Sequence, residues 1–540
     1  MKKGSEGRRL VIDSGKLILN GLILSAVSLV LRTVGVFFNA YITTEIGAVG
    51  TGVFSLVMSV YAPALTLATA GVNLAVSRLA AEELGKGNYR SVKDVLKKTV
   101  IYSTLVSGAV AILLTLLSEY ISVNWLGNSS AEGLLKILAS GLPFVAISSA
   151  ASGYFVAVRR TTRNAAVQLF EQFFKIAVTL FVLQKAVPLG KISCLCAVIL
   201  CSVISDIVSC FLILFLCRRD LLKLGRKGEK EKGTMGRILS VTIPVSISSF
   251  LRSGLVALEH ILIPKGLKKS GVSYEKAMAS YGTLSGMALP IILFPSSFLY
   301  SFSGLLIPEF AEARERGRMK EIRLTAIRVI RTVLIFSIGA AGILLGFAYD
   351  LGMAVYKSGE AARYIAVLAP LIPVMYLDTA VDSILKGLGE QVWTMKVNIA
   401  DALISVIAVM FLVPTLGIDG YIIIIFTSEI FNFVFSVYRL TLVTGLDIKF
   451  FRQSVFPIIS VVAAVSAVKI IEEIVLNFDI APALSAALGI SLSAVIYFSL
   501  LILFGVVSAR LPLIVGKKLI SAVCGKRKEI KTKEIKQICR

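Results

Sequence analysis

Residues 17–44 read LILNGLILSAVSLVLRTVGVFFNAYITT, a run that is apolar throughout except for scattered small polar groups and one charge, Arg32. A helix that crosses roughly 30 Å of hydrocarbon needs about 20 mostly apolar residues, and this run exceeds that length. It is too long for a signal peptide and carries an arginine at its centre, so it reads as a retained first membrane span. Comparable runs follow at 52–82, 99–118, 133–157, 165–186, 192–217, 238–263, 279–306, 327–349, 364–385, 395–413, 419–440, 455–475 and 481–506. They are long and continuous rather than short and alternating. Each backbone group is therefore satisfied inside its own helix, which predicts an all-α integral membrane protein with about fourteen spans.

Composition agrees. The 540 residues are 56% hydrophobic and 17% charged, with mean hydropathy +0.84, far more apolar surface than a soluble core can hide. The net charge of +24 raises the question of nucleic acid, but position answers it. Most of the 57 Lys and Arg fall at 2–16, 78–98, 159–163, 218–237, 314–331, 386–396, 439–452 and 510–540, between alternate spans. The positive-inside rule then places both termini in the cytoplasm of a bacterial cell and leaves no nucleic-acid partner to explain. Lys265, Lys268, Lys269 and Lys276 break the alternation. Either the assignment slips there or that loop meets an anion. The polybasic stretch 517–540 is explained by attraction to anionic membrane lipid.

The longest internal connection, 218–237, separates two sets of six spans. Leu31-Arg32-Thr33 in span one is echoed by Leu251-Arg252-Ser253 in span seven, and Gln168-Leu169-Phe170-Glu171 in span five by Asn398-Ile399-Ala400-Asp401 in span eleven. The ends of spans two and eight, Ser77-Arg78-Leu79-Ala80-Ala81-Glu82 and Pro308-Glu309-Phe310-Ala311-Glu312-Ala313, match in the same order. The expected organisation is a first lobe at 1–217, a basic linker at 218–237, a second lobe at 238–442, two added spans at 443–506 and a basic tail at 507–540. Because six is even, the lobes share orientation, as parallel repeats about an axis along the membrane normal do.

Charge in hydrocarbon costs at least ~2.5 kcal/mol per group, so each intramembrane charge needs a partner or a water-filled cavity. Arg32, Glu171, Lys175, Arg252, Glu259, Asp378, Asp382, Asp401 and Glu429 are the candidates. At 1.5 Å per residue Arg32 lies roughly 22 Å, and Arg252 roughly 21 Å, from the inner end of its span. Such arginines can snorkel to the outer interface, but a matched pair in both repeats favours a shared cavity. Glu171 and Lys175 are one turn apart and can neutralise each other. Asp378 and Asp382 have the same spacing and one sign, which raises one carboxyl pKa or calls for a cation between them. Asp382 also stands near Lys386, at the interface. His260 follows Glu259 and is either a proton relay or an ordinary polar residue at the outer boundary. Pro290, Pro295, Gly286, Pro370 and Pro373 are expected to bend spans eight and ten.

Five of the seven cysteines, Cys194, Cys196, Cys201, Cys210 and Cys217, share span six without metal or disulfide spacing, and read as small hydrophobes. No Walker motif, HExxH, zinc spacing or Gly-x-Ser-x-Gly elbow occurs, which argues against an enzyme, a catalytic residue or a resident metal.

The six-plus-six-plus-two layout, Arg32, the turn Gly47-Ala48-Val49-Gly50-Thr51-Gly52 and the stretch Gly71-Val72-Asn73-Leu74-Ala75-Val76-Ser77-Arg78 resemble the polysaccharide-exporter and stage V sporulation protein B branch of the MOP superfamily, kin to the lipid II flippase and MATE exporters. The resemblance implies two pseudo-symmetric six-helix lobes around a central cavity that opens alternately to each side. It implies a lipid-tail groove formed by the last two helices with the second lobe, and a monomer without cofactors, driven by the membrane potential, Na+ or H+. Arg32 and Arg252 would hold the pyrophosphate of an undecaprenyl-linked saccharide, a lipid II-like precursor, since guanidinium suits phosphate. Glu171, Lys175 and Asp401 would line the cavity. Asp378, Asp382, Glu259 and His260 would be available for coupling. The pattern departs at span eight, where lipid II flippases carry a further arginine and this chain reads Thr283-Leu284-Ser285-Gly286-Met287; Arg252, one helix earlier, is the candidate substitute. A cation-coupled exporter of amphipathic cations, which would want unpaired carboxylates, is the first alternative. A non-transporting scaffold in envelope assembly or sporulation is the second.

Overall fold

The computed structural model describes residues 14–223, 233–446, 450–475 and 482–506, and every regular element among them is helical. Twelve of the helices described are long and apolar enough to cross a membrane. Two features reconcile that number with fourteen predicted spans. The first helix, α1 (Ser14–Thr69), is 56 residues long and contains spans one and most of two, joined at Gly47. Gly47 has φ 75° and ψ 175°, a conformation for which L-residues are poorly suited. The predicted turn at 47–52 is thus a single-residue kink, and Gly52 is already helical. Span eight, in turn, is assembled from α8 (Tyr274–Gly282), a π-helical turn (Thr283–Ala288), α9 (Leu289–Leu293) and α10 (Ser296–Glu315).

The first lobe comprises α1, α2 (Val72–Gly85), α3 (Tyr89–Tyr120), α4 (Ala131–Ala157), α5 (Thr161–Ala186) and α6 (Lys191–Lys223). The second comprises α7 (Thr234–Lys269), α8 to α10, α11 (Met319–Gly346), α12 (Ala348–Tyr356), α13 (Gly359–Leu368), α14 (Ile372–Gly387), α15 (Gln391–Leu416) and α16 (Ile418–Thr444). Pro370 sits in the 3-10 turn between α13 and α14, and Pro373 opens α14, so span ten is bent where the prolines predicted. The short α12 lies almost wholly in the connection predicted between spans nine and ten.

The chain closes each lobe at its basic-loop side with an ion pair in the same place and opposite sense. In the first lobe Asp220 of α6 is 1% exposed and accepts from Tyr154 Oη at 3.0 Å, Arg163 at 2.7 Å and Arg160, which precedes α5. This anchor carries α6 to Lys223, past the predicted start of the linker; 224–232 lie outside the described residues. In the second lobe Glu390, which precedes α15, accepts from Arg439 of α16 at 2.8 Å, and Arg439 stacks 5.0 Å over Trp393.

The last two helices, α17 (Phe450–Val475) and α18 (Pro482–Leu503), dock on a stripe of small residues along α11. A Cβ added at Gly339 would meet Tyr497 at 2.5 Å, at Gly342 Val461 at 2.5 Å, and at Gly346 would overlap Val465. Small residues spaced in this way allow helices to approach closely where lipid offers no hydrophobic drive. Tyr497, fully buried, donates to the Ile335 carbonyl at 2.6 Å. At the other side Lys469 of α17 pairs with Asp350 of α12 at 2.6 Å and lies over Phe347. The predicted tail, 507–540, lies outside the described residues.

Candidate substrate cavity

The two lobes meet along α1, α2, α7 and α8. On the side of the basic loops, Gly71 (φ 75°) breaks the second span, and its backbone lies so near Thr242 of α7 that a Cβ would come within 2.8 Å of it. Ser246 donates to the Ala70 carbonyl at 2.6 Å, and Arg237 reaches Glu82 at 2.6 Å and Glu83 at 3.3 Å. On the other side Gly52 and Gly282 bring α1 and α8 into backbone contact, and Gly286 packs on Thr51. Lys265, one of the lysines that broke the charge alternation, donates to the Asn124 carbonyl at 2.9 Å and so ties α7 to the end of α3. Tyr274 reaches the Leu126 carbonyl of the same segment.

Arg252 and Arg32 stand on α7 and α1, which pack together, and both side chains are exposed. Arg252 donates to Asn398 Oδ1 at 3.0 Å, and Asn398 donates in turn to the Thr394 carbonyl at 2.6 Å. One turn beyond, Asp401 accepts from Ser428 at 2.9 Å and Asn432 at 2.8 Å. Asp401 is the hub of the second lobe, close enough to Arg252, Glu259, Asp378 and Glu429 to interact electrostatically with each. Arg252 is the cation that balances this group. Arg252, Glu259, Asp401 and Asp378, chosen from the sequence separately, thus form one network.

The first lobe has its own charged group. Glu171 faces Ser209 and Lys175, and Asp206 of α6 lies near Glu171, Lys175 and Tyr61. Gln172 Nε2 approaches α1 at Gly35, one turn from Arg32. Asp206 escaped the sequence reading, as did the role of Ser428. A signal for both was available: Ser205-Asp206-Ile207-Val208-Ser209 in span six is echoed by Ser428-Glu429-Ile430-Phe431-Asn432 in span twelve.

Two candidates lie apart from these networks. His260 Nδ1 is 2.7 Å from Tyr281 Oη and joins α7 to α8. Asp382 pairs with Lys386 at 2.5 Å, one turn away, while Oδ1 of Asp378 and of Asp382 have no hydrogen-bond partner.

Beside the lobes runs a groove of about 400 Å³ with an almost wholly apolar wall. Phe37 and Ala40 of α1, Phe294 beside α9, Phe336 of α11, Leu351 of α12 and Phe498 of α18 contribute to it. Of the last two helices only α18 lines the groove, and the first lobe joins in through α1; α17 supports α18 from behind.

This all-helical arrangement of two six-helix lobes has counterparts among solved membrane-protein structures. The chain superposes on the lipid II flippase MurJ, inward closed conformation, with a TM-score of 0.69 over 89% of this chain and 98% of that one, at 12% identity. An inward-facing multidrug resistance MATE family transporter of the MOP superfamily matches with a TM-score of 0.59 over 78% of this chain and all of that one, at 14% identity. In sequence, the polysaccharide biosynthesis protein family matches residues 17–313, and the chain belongs to that family. It is 26% identical over 513 residues to stage V sporulation protein B of Bacillus subtilis (strain 168), covering 91% of this chain and 97% of that one. Lipid II flippase MurJ of the same organism is 22% identical over 445 residues, 76% of this chain and 79% of that one.

Proposed function

We propose that this chain is a flippase that moves an anionic undecaprenyl-pyrophosphate-linked saccharide, a precursor of peptidoglycan or another envelope polysaccharide, across the cytoplasmic membrane by alternating access. The observation that carries the reading is the apolar groove between α1, α9, α11 and α18, set beside a charged interior. An amphipathic substrate with a long tail needs both surfaces at once: hydrocarbon for the tail, fixed cations for the head. Arg252, held by Asn398, and Arg32 are the groups that would take the pyrophosphate, since a guanidinium presents paired donors to phosphate oxygens. The Asp401 network would bind the coupling Na+ or H+, with the membrane potential as a further drive. Both termini lie in the cytoplasm in this reading, and one chain suffices.

Purified protein in liposomes, given a fluorescent undecaprenyl-pyrophosphate disaccharide, should expose the probe on the opposite leaflet. Arg32→Ala and Arg252→Ala should each lower that rate by tenfold or more, because each removes charge-assisted bonds of about 1.5–3 kcal/mol. Unchanged rates in both variants would refute the pyrophosphate clamp. The number of carboxylates in the interior supports a second reading, export of amphipathic cations. Its mark would be cationic-dye export that depends on Glu171 or Asp401.

A further inference from the structure

Many described helix serines return their hydroxyl proton to a carbonyl one turn back, as Ser140, Ser205 and Ser248 do. Three neighbouring serines of α4, Ser148, Ser149 and Ser152, make no such bond; Ser148 faces the Cys210 thiol. All three line a cavity of about 300 Å³ inside the first lobe, where Asn164, Gln168 and Glu171 of α5 face them. Among the described residues none is hydrogen-bonded to the side chains of Asn164 or Gln168, and Gln168 is exposed. Asn73 spends one amide proton on the Ser149 carbonyl at 3.3 Å and keeps its oxygen free. Five side chains with unspent donors or acceptors, Ser149, Ser152, Asn164, Gln168 and Asn73, thus converge on a space of ligand size.

We propose that this cavity is a saccharide subsite that takes the first sugar of the head group, a hydroxyl- and acetamido-bearing ring. The proposal rests on the flippase reading above. Three observations select that chemistry. Amides and hydroxyls supply donors and acceptors in mixture, which a polyol matches and a purely accepting phosphate does not. No basic side chain lines the cavity, so the pyrophosphate is left to the arginines. The one charged group is Glu171, whose oxygens can accept two sugar hydroxyls and would repel the carboxylates of a peptide head group. Location agrees as well. Thr69 and Asn73 line the cavity on either side of Gly71, the residue that seals α2 against α7, so parting of the lobes at that seam opens the space to the substrate path.

The full-length protein in lipid nanodiscs would be titrated with undecaprenyl pyrophosphate and, separately, with undecaprenyl pyrophosphate bearing a disaccharide. The wild type should bind the glycosylated probe about tenfold more tightly, the gain expected from a small number of new hydrogen bonds. That preference should collapse in Gln168→Leu and in the nearly isosteric Ser152→Ala, whose small volume change protects folding. Equal binding of the two probes by the wild type would overturn the subsite and leave the flippase reading standing. A preference that survives both substitutions would place the sugar elsewhere. Binding of neither probe would overturn the flippase reading and the subsite with it.

Discussion

The two lobes repeat one plan and spend it differently. In the second lobe the amide and acid of Asn398 and Asp401 are fully engaged, with Arg252, Ser428 and Asn432 all within 3.0 Å. In the first lobe the matching Gln168 and Glu171 open onto a cavity whose polar wall is largely unpartnered. The ion pairs that close the lobes show the same divergence: acid on α6 and base before α5 in one, base on α16 and acid before α15 in the other. Matched positions of the two lobes thus differ in charge and in hydrogen bonding. The group around Asn398 and Asp401 is held by its partners, whereas a polar wall with spare hydrogen-bonding capacity can exchange partners with a ligand.

Removal of the hub should have the largest effect. Asp401→Ala leaves Ser428 and Asn432 without their shared partner and Arg252 without its neighbouring negative charge, and liposome flipping should fall on the order of a hundredfold, the equivalent of about 2.7 kcal/mol. Glu171→Gln, which keeps a polar group in the open cavity, should cost about tenfold or less by the same scale. A greater loss at Glu171 than at Asp401 would reverse the assignment of the locked and open lobes.

The closing ion pairs should rank next. Asp220 is buried and accepts from three side chains, so Asp220→Ala should destabilise the protein by about 1–3 kcal/mol, seen as a fall in the melting temperature of the detergent-solubilised chain. Glu390→Ala should cost less, about 0.5–1.5 kcal/mol, because its single partner Arg439 is partly exposed and retains its stacking on Trp393. Equal losses would mean that burial is not what separates the two closures.

The smallest effect concerns the seam between the lobes. Arg237 pairs with the exposed Glu82 and with the buried Glu83, and Glu83 keeps Lys86 at 3.0 Å and Asn88 at 3.2 Å when Arg237 is lost, so Arg237→Ala should change stability by about 0–1 kcal/mol, less in high salt. The informative readout is accessibility: a cysteine placed near Gly71 should react faster in Arg237→Ala if the pair helps to hold the lobes together. No change in that rate would assign closure to the Gly71, Thr242 and Ser246 contacts alone.

Much of this was legible in the chain. Spans, lobes and the repeat follow from hydrophobic length and from order, because a bilayer imposes one element type and one length on any sequence that crosses it. The arginine pair and the acids of spans five and eleven stood out for the same reason, as costly exceptions in apolar runs. Asp206 is exceptional in the same way, a lone acid in the apolar run 192–217.

What the sequence determined, then, is the solvent, the helix class, the doubling and the set of intramembrane charges, each a one-dimensional property. Only the tertiary structure decided which charges share a partner, since Arg252 and Asn398, or Asp401 and Ser428, are distant in the chain and meet through helix packing. It alone distinguished hydroxyls that bond back along their own helix from those of Ser148, Ser149 and Ser152, which look identical in sequence. And it alone joined α1, α11 and α18 into a groove, because small residues on α11 set how close the last helices approach. Partners, vacancies in hydrogen bonding and cavities are properties of distance, and distance is fixed by packing.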